Sequence, residues 1–487
     1  MKTKRNIKTV LILFCVLFVS MSVYLVYTVS VYGTRYFTSP YNTRTEKISN
    51  RVEAGKILDR NEKTLAYTSD GEREYSDSKT TRLATAHVLG DDMGQTIGAQ
   101  SMFARYLLGF DQSVLDMILH PDSTLKGSNV ELTIDSKLCR DIYELMEDHK
   151  GAVVITNYKT GEILASVSTP SFDPKKIKDY LDGDYELEDG ALVNRATMGV
   201  YTPGSTFKIV TIVAALRYLP NVTEREFDCT GPLVFDKDTG KFRNGLTYSE
   251  LTDDEKLDYV YLTDYKNETH GTMTLKEAFA SSCNVTFARL AMEIGSSRLM
   301  KVAEELGVNK EFLFEEIMVN AGKMETGNSD YRLAWAGVGQ HKDVMTPLHM
   351  CLLTGAVANN GTMMEPKLLN SVKTASGTQK HSLKAETYKQ AIKPYEAEII
   401  KEYMIEAVKH GTGTEAKISG VTVGGKTGSA EVSSNKETGT HAWFTGFIDS
   451  NKYPFAICVV CERAGTGGSV AAPIAKKALE MAMERLA

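Results

Sequence analysis

The 487-residue sequence has no excess of basic residues: 56 Lys and Arg stand against 62 Asp and Glu, a net charge of −6. That balance excludes a general nucleic-acid binder, which presents a basic surface. No low-complexity tract and no internal repeat is present, which sets aside linkers and solenoids. Cysteine is sparse. Of the seven, Cys15 lies in an N-terminal apolar run, and the other six do not have the spacing of a disulfide framework. Cys458 and Cys461 form a C-x-x-C, but within "PFAICVVCERAG" they read as a packed strand, with no following helix start to lower a thiol pKa. No His/Cys cluster has zinc spacing, so the sequence predicts neither a metal nor a cofactor.

Charge itself is missing from one stretch. After Lys2, Lys4, Arg5 and Lys8 no charged residue occurs until Arg35, and Val10–Val31 is mostly apolar. About 20 such residues cross a bilayer. The stretch exceeds the apolar core of a signal peptide, and no clear A-x-A site follows. The expectation is an uncleaved anchor over 9–33, a cytoplasmic tail over 1–8, and an exported remainder, since positive charge stays inside.

What is present suits a globular ectodomain: 42% hydrophobic and 24% charged residues, with length for two or three domains. "RVEAGKILDRNEKTLAYT" (51–68) reads as two short strands around "DRNEK", and the second half of 87–110 is helix-compatible. "NVELTID" (129–135) reads as a strand that leads into a helix. "GAVVITNYKTGEILASVST" (151–169) and 441–462 each read as a hairpin, and the chain ends in a helix. Strands at both ends with helical sequence between them predict an α+β domain, one antiparallel sheet flanked by helices, over 148–487. A smaller, partly β module fills 34–147. Residues 227–270 are polar, weakly periodic, and expected to be a surface excursion.

Three short patterns carry chemistry. "YTPGSTFKIV" places Ser205 and Lys208 on one face at a helix start, so that the amine can reach the hydroxyl. A lysine becomes a base for serine only when burial or a cationic neighbour lowers its pKa. Alone, the pair reads more readily as a capping serine beside a solvated lysine. "LKEAFASSCNVTFARL" starts on a "TLKE" capping box and is interrupted at "SSCN", which offers Ser282 and Asn284; alone, it is a polar helix corner. "VGGKTGSAE" puts Lys426, Thr427, Gly428 and Ser429 on an extended, Gly-bearing segment suited to a substrate carboxylate and a ligand backbone; alone, it is a turn.

In that order, at spacings of about 75 and 140 residues, Ser-x-x-Lys, Ser-x-Asn and Lys-Thr-Gly match the signature of penicillin-binding proteins and serine β-lactamases. The chain resembles a class B penicillin-binding protein, a membrane-anchored peptidoglycan D,D-transpeptidase. "RVEAGKILDRNEKTLA", "NRATMGVYTPGSTFK", "GVGQHKDVMTPLHM", "VANNGTMMEP" and "HAWFTGF" all resemble that family's recurring stretches. The resemblance implies a β-lactamase/transpeptidase-like fold behind a pedestal module. It makes Ser205 the acylated nucleophile and Lys208 its base, with Ser282, Asn284 and Lys426 completing the proton relay. Thr427, Gly428 and Ser429 bind substrate, and the backbone N–H groups of Ser205 and Ser429 form the oxyanion hole. It further implies D-Ala–D-Ala stem peptides as donors, covalent inhibition by β-lactams, and a polytopic glycan-polymerising glycosyltransferase as partner. Ser429 stands where the family more often has Thr.

A class D β-lactamase or a β-lactam sensor commonly carries "STFK" too, but typically has an apolar residue where this chain has Asn284 and lacks the pedestal. A D,D-carboxypeptidase uses the same residues with water as acceptor. A non-catalytic cell-wall scaffold would be marked by loss of Ser205 or Lys208, and both are present.

Overall fold

Small and β-branched residues on both faces of a strand allow it to be buried on both sides. Gly151–Asn157, Ile163–Thr169 and Phe455–Cys461 have that composition and are almost wholly buried. They form the centre and one edge of a five-stranded antiparallel sheet in the order Val423–Ser433, Thr438–Ile448, Phe455–Cys461, Gly151–Asn157, Ile163–Thr169. Thr427 pairs with Phe444, Phe444 with Val459, Val459 with Val153, and Val153 with Val167. The computed structural model describes residues 2–37, 52–110, 125–146, 148–312, 314–433 and 438–486.

Alternate residues of the sheet feed two cores. Ala152, Val154, Cys458 and Val460 face the helices Lys208–Tyr218 and Pro347–Ala358. Val153, Ile155, Ile457 and Val459 face the helices Ser136–Leu145 and Ala472–Arg485. The C-x-x-C strand is the packed strand expected: Cys458 and Cys461 are buried free thiols, and burial pushes the Cys461 thiol up to about 12. The antiparallel sheet with helices on both faces agrees with the expected α+β class.

The N-terminal half builds a second sheet. Asp59 in "DRNEK" accepts the backbone N–H groups of Asn61 and Lys63, both at 2.9 Å, and so closes the turn between Ile57–Leu58 and Thr64–Ser69. The sheet has six strands in the order Gln379–Ser382, Leu369–Lys373, Asn129–Leu132, Ile57–Leu58, Thr64–Ser69, Glu72–Tyr75. Its first two strands come from the C-terminal half, so a boundary near 148 divides the chain but not this sheet. Within 87–110 the structure has two one-turn helices, Ala99–Met102 and Ala104–Leu107. A 36-residue helix, Lys2–Phe37, contains one stretch long and apolar enough to cross a membrane, Asn6–Thr28, whose residues from Asn6 to Tyr27 are exposed.

One expectation is corrected. Residues 227–270 are not simply a surface excursion, because they return to the fold through two ribbons. Glu226–Cys229 pairs with Gly271–Thr274, and Leu233–Asp236 pairs with Tyr259–Leu262. Leu233, Val234, Phe235 and Leu262 are buried. The apolar residues are too few and too clustered to produce a periodic signal, yet those that are buried, Cys229 and Leu251 among them, dock the segment.

The helix Lys208–Tyr218 is pinned at its far end. Arg217 donates from Nε and Nη2 to the Glu396 carboxylate at 2.9–3.1 Å, and Glu396 is fully buried at the start of the helix Pro394–Lys409. Arg217→Met leaves that buried carboxylate with the exposed Lys393 ammonium, 3.7 Å away, as its remaining ion partner among the described residues, and is expected to cost about 3–5 kcal/mol, with partial recovery in Arg217→Met/Glu396→Leu. Thermal unfolding of the three chains measures this; a single variant that melts with the wild type refutes the pin.

Candidate active site

Pro203 and Gly204 turn the chain into a short 3₁₀ segment, Gly204–Phe207, which runs on into the helix Lys208–Tyr218. Gly204 has φ +54° and donates its N–H to Gly339 O at 2.8 Å. A side chain at Gly339 would lie 2.1 Å from Gly204 O, so the turn needs glycine on both sides. Thr206 Oγ1 closes it on Pro203 O at 2.8 Å. Ser205 sits half-buried in this turn, and Lys208 is fully buried three residues on.

The second motif is a break between two helices. Leu275–Ala280 begins on a capping box formed by Thr274 and Glu277, and Asn284–Ile294 starts after Cys283. Between them Ser282 takes φ +63°, a conformation that costs a non-glycine residue free energy and persists only where neighbours hold it. Here the holding comes from Asn284: its backbone N–H donates to Asp264 Oδ1, and Nδ2 donates to Thr263 O at 2.9 Å.

Two buried amines meet at this break. Lys208 Nζ lies 2.6 Å from Ser282 O, 3.2 Å from Ser282 Oγ and 2.8 Å from Asn284 Oδ1. Lys426 Nζ reaches the same Ser282 Oγ at 2.8 Å and donates to Thr427 O at 3.1 Å. Phe287 and Phe279 face the two ammonium groups, with ring centroids 5.4 and 5.7 Å away. Burial takes the Lys208 amine down to about 8, although Asp264 and Cys283 oppose that shift. Burial, and then the charge on Lys208, pushes Lys426 well below the usual lysine range. The expected approach of Lys208 to Ser205 takes a different form: the hydrogen bonds of its amine go to the second motif, because a fully buried amine must be satisfied by fixed acceptors.

The third motif lies on Val423–Ser433, the sheet edge that faces the Ser205 turn. Lys426 and Thr427 are buried, and Ser429 is half-buried. Thr412 and Thr427 share a 2.6 Å hydroxyl hydrogen bond. Gly467 N–H donates to Ser429 Oγ at 3.1 Å, and Gln340 Nε2 donates to Ser429 O at 3.2 Å. The glycines are required by the protein's own packing. A side chain at Gly428 would meet Pro203 O at 2.6 Å, and side chains at Gly424 and Gly425 would meet the rings of Phe447 and Phe444 at 2.4 and 2.3 Å. The structure therefore brings Ser205, Lys208, Ser282, Asn284, Lys426, Thr427, Gly428 and Ser429 into one neighbourhood.

Sequence reasoning missed the supports: Thr412, Gln340, Thr263, Asp264 and the two phenylalanines. Gln340, inside "GVGQHKDVMTPLHM", and Phe279 and Phe287, inside "LKEAFASSCNVTFARL", lay in stretches quoted beforehand, but none was given a role. It also missed a four-residue cluster beneath the Ser282 break. Cys229, Asp264, His270 and Cys283 bring one ligand-type atom each to within 4.8 Å of one another. Spacing excluded such a set because its members are spread over 55 residues and are joined only by the two ribbons.

The family described as penicillin binding protein transpeptidase domain matches residues 151–228 and 241–480. The chain is 29% identical over 382 residues to the peptidoglycan D,D-transpeptidase PbpA of Mycolicibacterium smegmatis, covering 74% of this chain and 73% of that protein. It is 30% identical to the peptidoglycan D,D-transpeptidase MrdA of Haemophilus influenzae, over 73% of this chain and 56% of the relative. The solved structure of penicillin-binding protein A from M. tuberculosis as a ceftriaxone acyl-enzyme complex superposes with TM-score 0.76 at 26% identity, covering 89% of this chain and 99% of that one.

Gly428→Ala forces the edge strand away from Pro203. The expected cost is about 1–3 kcal/mol in thermal unfolding, as for other overpacked sites, with a crystal structure showing the strand displaced from the Ser205 turn. Unchanged melting and an unmoved strand would refute the close contact.

Proposed function

The chain belongs to the penicillin-binding protein transpeptidase family, and from that premise we propose how its site works as a peptidoglycan D,D-transpeptidase. Ser205 Oγ attacks the carbonyl carbon of the D-Ala–D-Ala peptide bond of a stem peptide while its proton passes to the neutral amine of Lys208. The oxyanion is held by the backbone N–H groups of Ser205 and Ser429, the first of them at the start of a helix, where the backbone dipole favours negative charge. As the C–N bond breaks, a proton moves by way of Ser282, flanked by Lys208 and Lys426, to the leaving D-Ala. An amine from a second stem peptide then attacks the acyl-enzyme, gives up a proton to the same relay, and releases Ser205 with the cross-link formed. Thr427, Gly428 and Ser429 on the edge strand receive the donor, with Thr427 on its terminal carboxylate. A β-lactam enters as the donor does, and its opened ring stays attached to Ser205.

The observation that carries this reading is the convergence of two fully buried lysine amines on Ser282 Oγ. A structural role gives no reason to bury two like charges around one hydroxyl, whereas a proton relay needs amines whose pKa values have been brought down.

Residues 148–487 are read as the transpeptidase domain and 34–147 as a pedestal, with 1–8 a cytoplasmic tail and 9–33 the membrane anchor. The catalytic half then lies outside the cytoplasm, where peptidoglycan is made. A polytopic glycosyltransferase supplies the glycan strands, and the anchor and pedestal are its contact surface. The anchor rests on the exposed, apolar residues 6–27 of the helix Lys2–Phe37 and on the positive charge at the start of the sequence.

The test is covalent labelling of the full chain in detergent with a fluorescent penicillin, followed by gel and intact mass. A label that persists for many minutes in the wild type and disappears in Ser205→Ala is expected; rapid turnover of the adduct would make the protein a β-lactamase. Lys208 acts as a base only when neutral, so the acylation rate is expected to rise with pH through about 8. Between pH 7 and 9 the neutral fraction grows roughly tenfold. A rate that stays flat across that range would remove Lys208 from the base role.

A further inference from the structure

The reaction proposed for Ser205 joins two strands, and the edge strand Val423–Ser433 receives only the donor. A separate cavity lies against the helix Asn284–Ile294, beside Arg289. Five residues along that helix carry Arg289 about 7.5 Å past Asn284 and about 140° around the axis, away from the buried amines. The cavity has a volume of about 390 Å³, within the roughly 300–1,000 Å³ of small-molecule sites. Residues 230–233, 242–249 and Thr269 form its other walls.

Those walls are fixed to the fold. Phe242 N–H donates to Asp330 Oδ2 at 3.1 Å, and Arg243 N–H donates to Val234 O at 2.9 Å. The ring of Phe242 meets Phe235, and the ring of Tyr248 meets Tyr261, with centroids 5.5 and 4.9 Å apart. Buried Leu233 adds apolar lining.

The polar lining is unspent. Thr230, Asn244, Thr247, Ser249 and Thr269 make no side-chain hydrogen bond among the described residues, and Arg289 has neither a hydrogen bond nor an ion pair there. Arg243 gives Nη2 to Asp236 Oδ2 at 2.7 Å and keeps the rest of its fork open. Two guanidinium groups at one cavity select an oxyanion, which they hold through paired N–H groups. Asp236 offsets part of the Arg243 charge, so Arg289 is the principal anchor. Hydroxyl and amide side chains around that anion match sugar hydroxyls and peptide amides.

We propose that this cavity binds the acceptor strand, with a stem-peptide carboxylate on Arg289 and Arg243 and the adjoining sugar and amide groups on the hydroxyl-bearing walls. An extended peptide covers about 3.3–3.6 Å per residue, so a few residues of stem lead from Arg289 round the helix to the Ser282 break. There the amine meets the acyl-enzyme. The identity of the strand rests on the transpeptidase reading.

The experiment uses the full chain in detergent, treated with penicillin so that the donor cleft is filled. The probe is a soluble, uncross-linked disaccharide–stem peptide with free carboxylates, labelled on the sugar and followed by fluorescence anisotropy. Saturable binding is expected, weakened about tenfold or more in Arg289→Glu, as for loss of a charge-assisted contact. Amidating the probe's carboxylates is expected to weaken it similarly, and that arm is read on the wild-type chain, so it decides the matter even where the variant does not fold. Arg298→Glu reverses an equally exposed charge on the helix Ser296–Glu305, outside the cavity, and is expected to bind as the wild type does. In cross-linking by the untreated chain, Arg289→Glu is expected to raise the acceptor KM. Equal binding by Arg289→Glu and wild type, equal weakening in Arg298→Glu, an unchanged acceptor KM, or binding of a polyglycerol phosphate but not of the glycopeptide would each overturn the proposal. Penicillin label at Ser205 without Arg289-dependent binding overturns this inference alone. Arg289-dependent binding in a chain that takes no label overturns the catalytic reading and leaves the glycopeptide site.

Discussion

Two lysine amines buried on either side of one serine hydroxyl set the terms for the rest of the molecule. Removing an ammonium from water is costly unless hydrogen bonds and opposite charge replace the solvent. Among the described residues Lys208 and Lys426 have no carboxylate in hydrogen-bonded contact; they have Ser282, Asn284, one backbone carbonyl each, and two aromatic faces. The deficit appears as depressed pKa values, and depressed pKa values make amines into bases near neutral pH. Because each acceptor is short of alternatives, small displacements of Ser282 alter both amines together.

Precision at that serine is provided by elements distant in sequence. The helix Lys208–Tyr218 carries one amine and is locked at its other end by Arg217 on Glu396. The edge strand Val423–Ser433 carries the second, and its placement depends on Gly428 lying directly against Pro203. Ser282 is presented by a backbone conformation that only its surroundings can sustain, and Asp264 and Thr263 provide them. The polar segment 227–270 is thus part of the support for the site, with its own buried side chains and a cluster of ligand-type residues where it meets the Ser282 break.

The N-terminal half is joined to this machinery by shared backbone. Strands from 369–382 complete its six-stranded sheet, and ion pairs such as Arg82 with Asp173 and Arg485 with Asp135 cross between the halves. The two halves are therefore held together by a shared sheet and by ion pairs. Domain language based on chain position alone hides that continuity.

Much of this was legible from local chemistry. The long apolar N-terminal helix follows from a charge-free run, the hairpins at 151–169 and 441–462 from apolar blocks around turns, and the capping box at Thr274 from four residues. The three motifs were visible as an ordered set because chemistry-bearing residues lie close together within each one. Their supports were not. Thr412, Asp264, Gln340 and Glu396 are ordinary polar residues until the fold gives each a partner, and nothing local distinguishes them. The glycines at 424, 425 and 428 had the right signal, close approach, but the sequence could not say what approaches. Sequence by itself determined which side chains could be nucleophile, base and carboxylate site, since reactivity is a property of residue type and near neighbours. Tertiary structure alone decided that Lys208 points to Ser282 and Asn284, that both amines lose their water, and that Cys229 meets Cys283. Burial and long-range pairing depend on how the sheet and its helices close, and no local stretch of sequence contains that closure.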